Sequence, residues 1–356
     1  NTISSKVIET KHISFLHSSN MKPKKTNQLL SRYLAIGSAL FLCSPSAYAA
    51  TYQWDQNDSA AGLGGTGAWD TTSAFWDLVG TGFDDGTAVT AAVANWNPTI
   101  AGDFATFGGT AGAVSLAAGV NVLGTSFTAS AYTLNLTNTA ATNYQLGTLT
   151  GDATFNITLG AGTTTADFKL TDWSGYTGVV NIGVAQAVAA GKAAVGSALN
   201  LGFSSAATVN ITANSTLYSS TITTHKAALT LNGGDTGEAL GQLRFDNGGT
   251  WSGAVTLAGA MIGTDPFVGS NSGTNFITGI ISESGGSRSL SKGGGGTIVL
   301  SGANTYTGGT IHRGGTLAVT SIGNVADTSS PLGAGGGVDI AANATLSYWG
   351  AGETTD

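Results

Sequence analysis

Leu290-Ser-Lys-Gly-Gly-Gly-Gly-Thr-Ile-Val-Leu-Ser-Gly-Ala-Asn-Thr-Tyr-Thr-Gly-Gly-Thr-Ile-His-Arg-Gly-Gly-Thr-Leu-Ala-Val319 holds three short β-type runs separated by glycine turns. The runs are Thr297 to Leu300, Thr310-Ile311 and Thr316 to Val319. None is long enough to bury a core alone, so each has to stack on a neighbour, which is the logic of a solenoid.

The chain supplies further copies of this plan. Trp173-Ser-Gly-Tyr176-Thr-Gly-Val-Val-Asn-Ile182 echoes Asn304-Thr-Tyr306-Thr-Gly-Gly-Thr-Ile311, and Trp251-Ser-Gly-Ala-Val-Thr-Leu257 is a weaker third copy. Leu201-Gly202 followed by Val209-Asn-Ile-Thr-Ala-Asn-Ser-Thr-Leu217 parallels Leu332-Gly333 followed by Val338-Asp-Ile-Ala-Ala-Asn-Ala-Thr-Leu346. The spacings agree, 33 positions from Tyr176 to Val209 and 32 from Tyr306 to Val338. In the last stretch Val338 and Ile340 alternate with Asp339, which predicts one face inward and one to water. Asn and Gly mark the corner, since both tolerate the left-handed backbone region. The recurring rings Tyr176, Trp251 and Tyr306 are expected to pack at a corner above the next coil rather than to stack a ligand. The helix-like stretch is Val184 to Val195, alanine-rich but broken by Gly191, and it reads as a loop with one helical turn.

Lys292-Gly-Gly-Gly-Gly-Thr297, Leu300-Ser-Gly-Ala-Asn-Thr-Tyr-Thr-Gly-Gly-Thr310 and Gly315-Thr-Leu317 closely resemble the autotransporter-associated β-strand repeat over roughly thirty residues. The resemblance implies the parallel β-helical passenger part of an autotransporter-like surface or secreted protein. It further implies a rigid stalk or adhesive scaffold, partners among extracellular glycans or host and neighbouring cell surfaces, and an outer-membrane translocator or sorting region downstream. Surface exposure rests on this resemblance alone.

Composition points to the same class. Glycine fills 54 of 356 positions but proline only 5, which fits neither collagen nor a proline-rich linker. With 41% hydrophobic and 9% charged residues, the chain favours an ordered β-rich structure over disorder. Met21-Lys-Pro-Lys-Lys25, the apolar run Tyr33 to Leu42 and Ala47-Tyr-Ala49 form the three parts of a secretory signal, residues 21–49. The apolar run is shorter than the roughly 20 residues a membrane-spanning helix needs, so no retained transmembrane anchor is expected. Residues 1–20 precede Met21 and read as an upstream, non-native extension, with a long signal n-region as the alternative. Cys43, the only cysteine, lies inside the signal, so the processed chain has no disulfide, and Leu42 before it argues against lipidation.

The first fifty residues hold six Lys or Arg and one acid, so the remainder carries a net charge of −12 without a basic stretch. Nucleic acid is thereby excluded as a partner, because phosphate binding needs clustered cations. Between residues 50 and 136 lie Trp54, Trp69, Trp76 and Trp96, four of the seven tryptophans, with Asp103-Phe-Ala-Thr-Phe-Gly-Gly109 and the strand-like runs Ala113 to Leu116 and Tyr132 to Leu136. This Trp-rich segment reads as a β cap for the first coil, since the terminal repeat of a solenoid needs one. The alternative is a glycan-stacking aromatic surface, which would leave Trp69 and Trp76 exposed.

Catalytic patterns are thin. His225 and His312 stand in unrelated settings and read as exposed strand or turn residues rather than zinc or triad members. Asp55-Gln-Asn-Asp58 lacks the alternation and closing glutamate of a calcium loop and reads as a polar surface turn. Arg244 and Asp246 share a strand face, with Leu243 and Phe245 on the other, and read as an ordinary exposed ion pair. Asp84-Asp85 reads as a solvated loop, and Gly293 to Gly296 as a turn rather than a phosphate cradle.

The sequence thus predicts an all-β, right-handed parallel β-helix with an amino-terminal Trp-rich β cap (50–136) and a repeat region (137–356) truncated at its carboxyl end. No catalytic, cofactor or metal residues are assigned, and the expected role is non-enzymatic. The alternatives are a β-helical polysaccharide-degrading enzyme, which would need carboxylates converging on one groove, and a glycan-binding module.

Overall fold

Short runs in which apolar and polar residues alternate, punctuated by glycine, are strand-forming material. In the computed structural model they form β-strands throughout, with no helix among the described residues. The described residues run from 51 to 352, excepting 57–62, 71–73, 79–93, 96–103, 117–121, 137–141, 160–165, 184–191, 197–201, 213–214, 220, 235–238, 260–264 and 325–326. The expected extension and signal (1–49), Asp58, Asp84-Asp85 and Trp96 lie outside them. Val179–Ile182 and Thr208–Ile211 show the local rule, with Val180, Ile182, Val209 and Ile211 buried while Asn181 and Asn210 stay half-buried on the other side.

Among the described residues the strands make sheets of fourteen, nine and six strands. Their pairing is parallel except at the amino end, where Ala74–Leu78 runs antiparallel to Thr51–Trp54 and to Ala94–Asn95. The chain returns to each sheet repeatedly, and each strand pairs with the one laid down a visit earlier. Along the nine-stranded sheet Tyr132, Phe155, Val180, Val209, Leu229, Val255 and Ile281 therefore face one another in succession. Leu217, Leu243, Val268, Lys292, His312 and Ile340 do so along the largest sheet. His225, Trp251, Ile277, Leu300, Val319 and Tyr348 do so along the smallest. This is the connectivity that stacked rungs require.

Those rows hold the molecule together. Each apolar side chain in them loses its water to the rung on either side, worth about 1.5–3 kcal/mol for a fully buried Val, Leu, Ile or Phe. The rings of Phe107, Phe127 and Phe155 lie nearly parallel, with centroids 5.0 and 4.4 Å apart. On the outer side of the nine-stranded sheet the amides form a chain of their own. Asn210 Nδ2 donates to Asn181 Oδ1 and Asn181 Nδ2 to Asn156 Oδ1, both at 2.9 Å. At the amino end Trp54, Trp69 and Trp76 are buried with Phe107, at ring separations of 5.0 to 6.0 Å.

The two sequence echoes go to different sheets: Val179–Ile182 and Thr208–Ile211 belong to the nine-stranded sheet, but Thr310–His312 and Val338–Ile340 belong to the fourteen-stranded one. The reason is that the nine-stranded sheet has its last strand at Ile281–Glu283, so the later rungs use the other two sheets only. Val338 and Ile340 alternate as expected yet remain 38% and 43% exposed, because no described strand follows theirs to cover them. The carboxyl half of the helix-like stretch is a strand, Lys192–Gly196, paired in parallel on both sides. Its alanines lack the bulk that would favour a strand, but the ladder on each side satisfies the backbone, and tertiary pairing outweighs propensity.

Glycines in the opening motif serve close approach. Gly294 and Gly315 have φ of +75° and +67°, and a Cβ on either would run into the carbonyl of Ser270 or Gly294 respectively. One asparagine closes several turns at once. Asn275 Oδ1 accepts the Gly248 and Gly249 N–H groups at 2.8 and 3.0 Å, and its Nδ2 donates to Ser270 Oγ at 2.7 Å and to the Ser272 carbonyl at 3.1 Å. Replacing Asn275 by Ala strands two amide donors, so Asn275→Ala is expected to lower stability by about 2–3 kcal/mol, whereas the exposed Asn271→Ala should stay within about 0.5 kcal/mol. Urea unfolding of the two variants, with hydrogen exchange at Gly248 and Gly249, checks this; equal midpoints would refute the role given to Asn275.

Candidate functional site

The titratable residues that sequence spacing left unassigned are held inside the rungs. His225 and His312 are buried, not exposed, because both occupy inward positions of a ladder: His225 begins the row that continues with Trp251, and His312 follows Lys292. His225 Nδ1 lies 3.4 Å from the Phe203 N–H, which makes it an acceptor and leaves the proton on Nε2, 3.3 Å from Ser219 Oγ. Its ring stacks on Trp251 at 5.0 Å. Burial pushes its pKa down to about 3, so the ring is neutral at physiological pH. His312 Nε2 sits 3.0 Å from the Thr345 carbonyl.

Lys292 is fully buried, and its ammonium donates to the carbonyls of Gly294, Gly296 and Gly314 at 3.1, 2.7 and 2.6 Å. Burial pushes its pKa down to about 8, while the three acceptors supply a partner for each N–H. Arg244 and Asp246 are a bidentate pair at 3.0 and 2.7 Å, with the guanidinium 4.6 Å above the Tyr218 ring. Their side chains are only 11% and 13% exposed, so the expected open surface pair is a largely buried one, folded down by that ring. Leu243 and Phe245 do point the other way. Asp55 is 2% exposed, which corrects its reading as part of a surface turn; its backbone is tied into the sheet, its N–H donating to the Phe75 carbonyl at 2.9 Å and the residue bridging Gly64. Among the described residues no three His, Cys, Asp or Glu side chains converge as a metal site would require.

The recurring aromatics are structural. Tyr176 Oη donates to the Ala153 carbonyl at 2.5 Å and Trp251 Nε1 to the Ala227 carbonyl at 3.0 Å, each reaching the rung before its own. Tyr132 does the same to the Gly108 carbonyl at 2.7 Å, an equivalent that its place inside a strand run concealed. Tyr306 differs, meeting the Thr310 hydroxyl of its own rung. Trp69 and Trp76 are 0% and 1% exposed, which rules out the glycan-stacking surface at those rings.

Among the described residues, two clefts offer room for a ligand. One, of about 430 Å³, is lined by Ser174, Ser204, Ser205, Thr224 and Lys226 together with Gly202 and Phe203. The other, of about 300 Å³, lies between Ile322-Gly323-Asn324 and Leu332 to Gly336, with the Asp327 carboxylate held by the Asn324 N–H at 2.7 Å. The first gathers hydroxyls from the segments that precede three neighbouring strands, Val179–Ile182, Thr208–Ile211 and Ala228–Leu231, with Thr224 supplied by the short strand Thr224–His225. No single stretch of sequence signals it, because its residues come together only through stacking.

No protein-family model matches the chain, and no solved structure matches it. Among curated proteins, the chain is 29% identical over 340 residues to the protein described as "Adhesin BmaC autotransporter" of Brucella suis biovar 1 (strain 1330). The match takes in 92% of this chain and 8% of that relative's length. That similarity and the strand-rich parallel architecture fit an autotransporter passenger-type protein.

Acid sensitivity follows from His225. Its folded pKa of about 3 lies below the unfolded value of about 6.5, so as pH falls from 6.5 toward 3 the unfolded chain takes up a proton that the folded chain refuses. Stability is present in full above that window and is lost within it, by about 1.4 kcal/mol per pH unit. Urea midpoints read from tryptophan fluorescence should therefore drop with this slope, and His225→Phe should flatten it despite starting less stable at pH 7. An unchanged slope in the variant would contradict the assignment.

Proposed function

We propose that this chain is a segment of an exported, surface-displayed passenger of the adhesin type. Residues 21–49 direct its export, residues 1–20 stand outside the mature protein, and the rungs close into a right-handed parallel β-helix. The Trp-rich segment 50–136 caps the first rung, with the antiparallel strands Ala74–Leu78 and Ala94–Asn95 shielding the sheet edge there. Residues 137–356 carry the repeats. The role is that of a rigid, non-catalytic stalk or adhesive scaffold that meets glycans or cell surfaces, and a translocator or sorting region completes the whole protein.

The observation that carries this reading is the succession of parallel-paired strands among the described residues, in a chain of which 92% is similar to the autotransporter adhesin. Titratable groups support it as well. Arg244 and Asp246 are locked to each other, Lys292 to carbonyls, and Glu283 to the Thr307 N–H and hydroxyl at 3.0 and 2.7 Å, so each serves cohesion between or within rungs.

The test is display of the full chain on a laboratory bacterium through a heterologous outer-membrane translocator. Digestion by protease added to intact cells and several-fold higher attachment to epithelial monolayers are expected. Failure to reach the surface would refute the passenger reading, and surface exposure without a gain in attachment would refute the adhesive one.

A further inference from the structure

In the 430 Å³ cleft the chemistry is specific. Of the cations whose side chains are described, Arg244 is bound to Asp246, Arg288 to the Gly285 carbonyl, Lys292 to three carbonyls and Arg313 to Ser291 Oγ. Lys226 is exposed and has no partner among the described residues. Three hydroxyls beside it, those of Ser174, Ser205 and Thr224, are likewise exposed and uncommitted among the described residues, while Ser204 Oγ is spent on the Tyr176 carbonyl at 2.7 Å. The carboxylate on the same turn, Asp172, is held by the Ser174 N–H at 2.7 Å and does not line the cleft. Gly202 lets the floor of the cleft pack closely on the next segment, because a Cβ there would meet the Thr224 carbonyl and the His225 ring.

We propose that this cleft binds a carboxylated sugar, with the Lys226 ammonium pairing the carboxylate and the hydroxyls of Ser174, Ser205 and Thr224 meeting the ring hydroxyls. Each Ser or Thr hydroxyl both donates and accepts, which matches a ring whose vicinal hydroxyls do the same. One point charge matches a monoanionic carboxylate, whereas a phosphate dianion calls for several cations or a bidentate guanidinium. The volume lies in the range of small-molecule sites and accommodates one pyranose ring with its waters. The site deepens the adhesive reading above and rests on it for its biological meaning, but its chemistry stands separately.

Titration calorimetry of the full chain with 3′-sialyllactose and with tri-galacturonate, against lactose as the neutral control, tests the assignment. At least one acidic saccharide should bind at least tenfold more tightly than lactose, Lys226→Gln should weaken that binding at least tenfold, and Lys226→Arg should retain most of it. Because Lys226 is exposed, circular dichroism should be the same for all three proteins. Equal binding of lactose, no binding of either acidic saccharide, or full binding by Lys226→Gln would each overturn the proposal. Failure of the adhesive reading looks different: displayed wild-type chain would give no attachment while the purified chain still binds the acidic sugar. Conversely, attachment that survives Lys226→Gln, with no sugar bound by the purified wild-type chain, removes the cleft and leaves the adhesive reading standing.

Discussion

A strand of three to five residues cannot satisfy its own backbone or exclude water from its own side chains, so here every strand depends on the rung beside it. Parallel ladders answer both needs at once, because the bonds that pair Leu243 with Leu217 and Val268 also superimpose their side chains. Stability in such a molecule is a sum of nearest-neighbour terms rather than the property of one core. Rows of like residues follow from that, whether valine and leucine inside or asparagine and threonine outside.

This dependence explains what the sequence disclosed. Strand position was legible because apolar alternation and glycine are local signals, and Thr297–Leu300, Thr310–His312 and Gly315–Val319 lie where the opening motif places them. The sheet to which a strand belongs was not legible, since the turn around Tyr306 resembles the turn around Tyr176 but delivers its strand to another sheet. A repeated sequence here encodes a repeated turn. The number of strands that share a rung is decided by what the neighbouring rung offers.

Polar residues were the least legible. Charge and imidazole normally signal solvent, and a burial rule applied to His225, His312 and Lys292 places them outside. Their interior positions come from strand parity, and their tolerance there comes from partners that only stacking provides, such as the Phe203 N–H for His225. The open cleft was hidden for the same reason. Ser174 sits in a repeat echo read as a turn, Ser205 and Lys226 carry no motif, and their common wall exists because three neighbouring segments are superimposed.

Lys292 makes this dependence directional. Its ammonium meets three carbonyls, one of them from Gly314 in the following rung, at a position of the row between Val268 and His312. A slip of one residue would turn the lysine to the other face, part its ammonium from the Gly314 carbonyl and set Ser291 or Gly293 in its place. A slip of two would move the charge beyond the reach of that carbonyl. Rows of leucine and valine are nearly indifferent to which rung they meet, so among these interchangeable surfaces the lysine acts as a key that admits a single alignment.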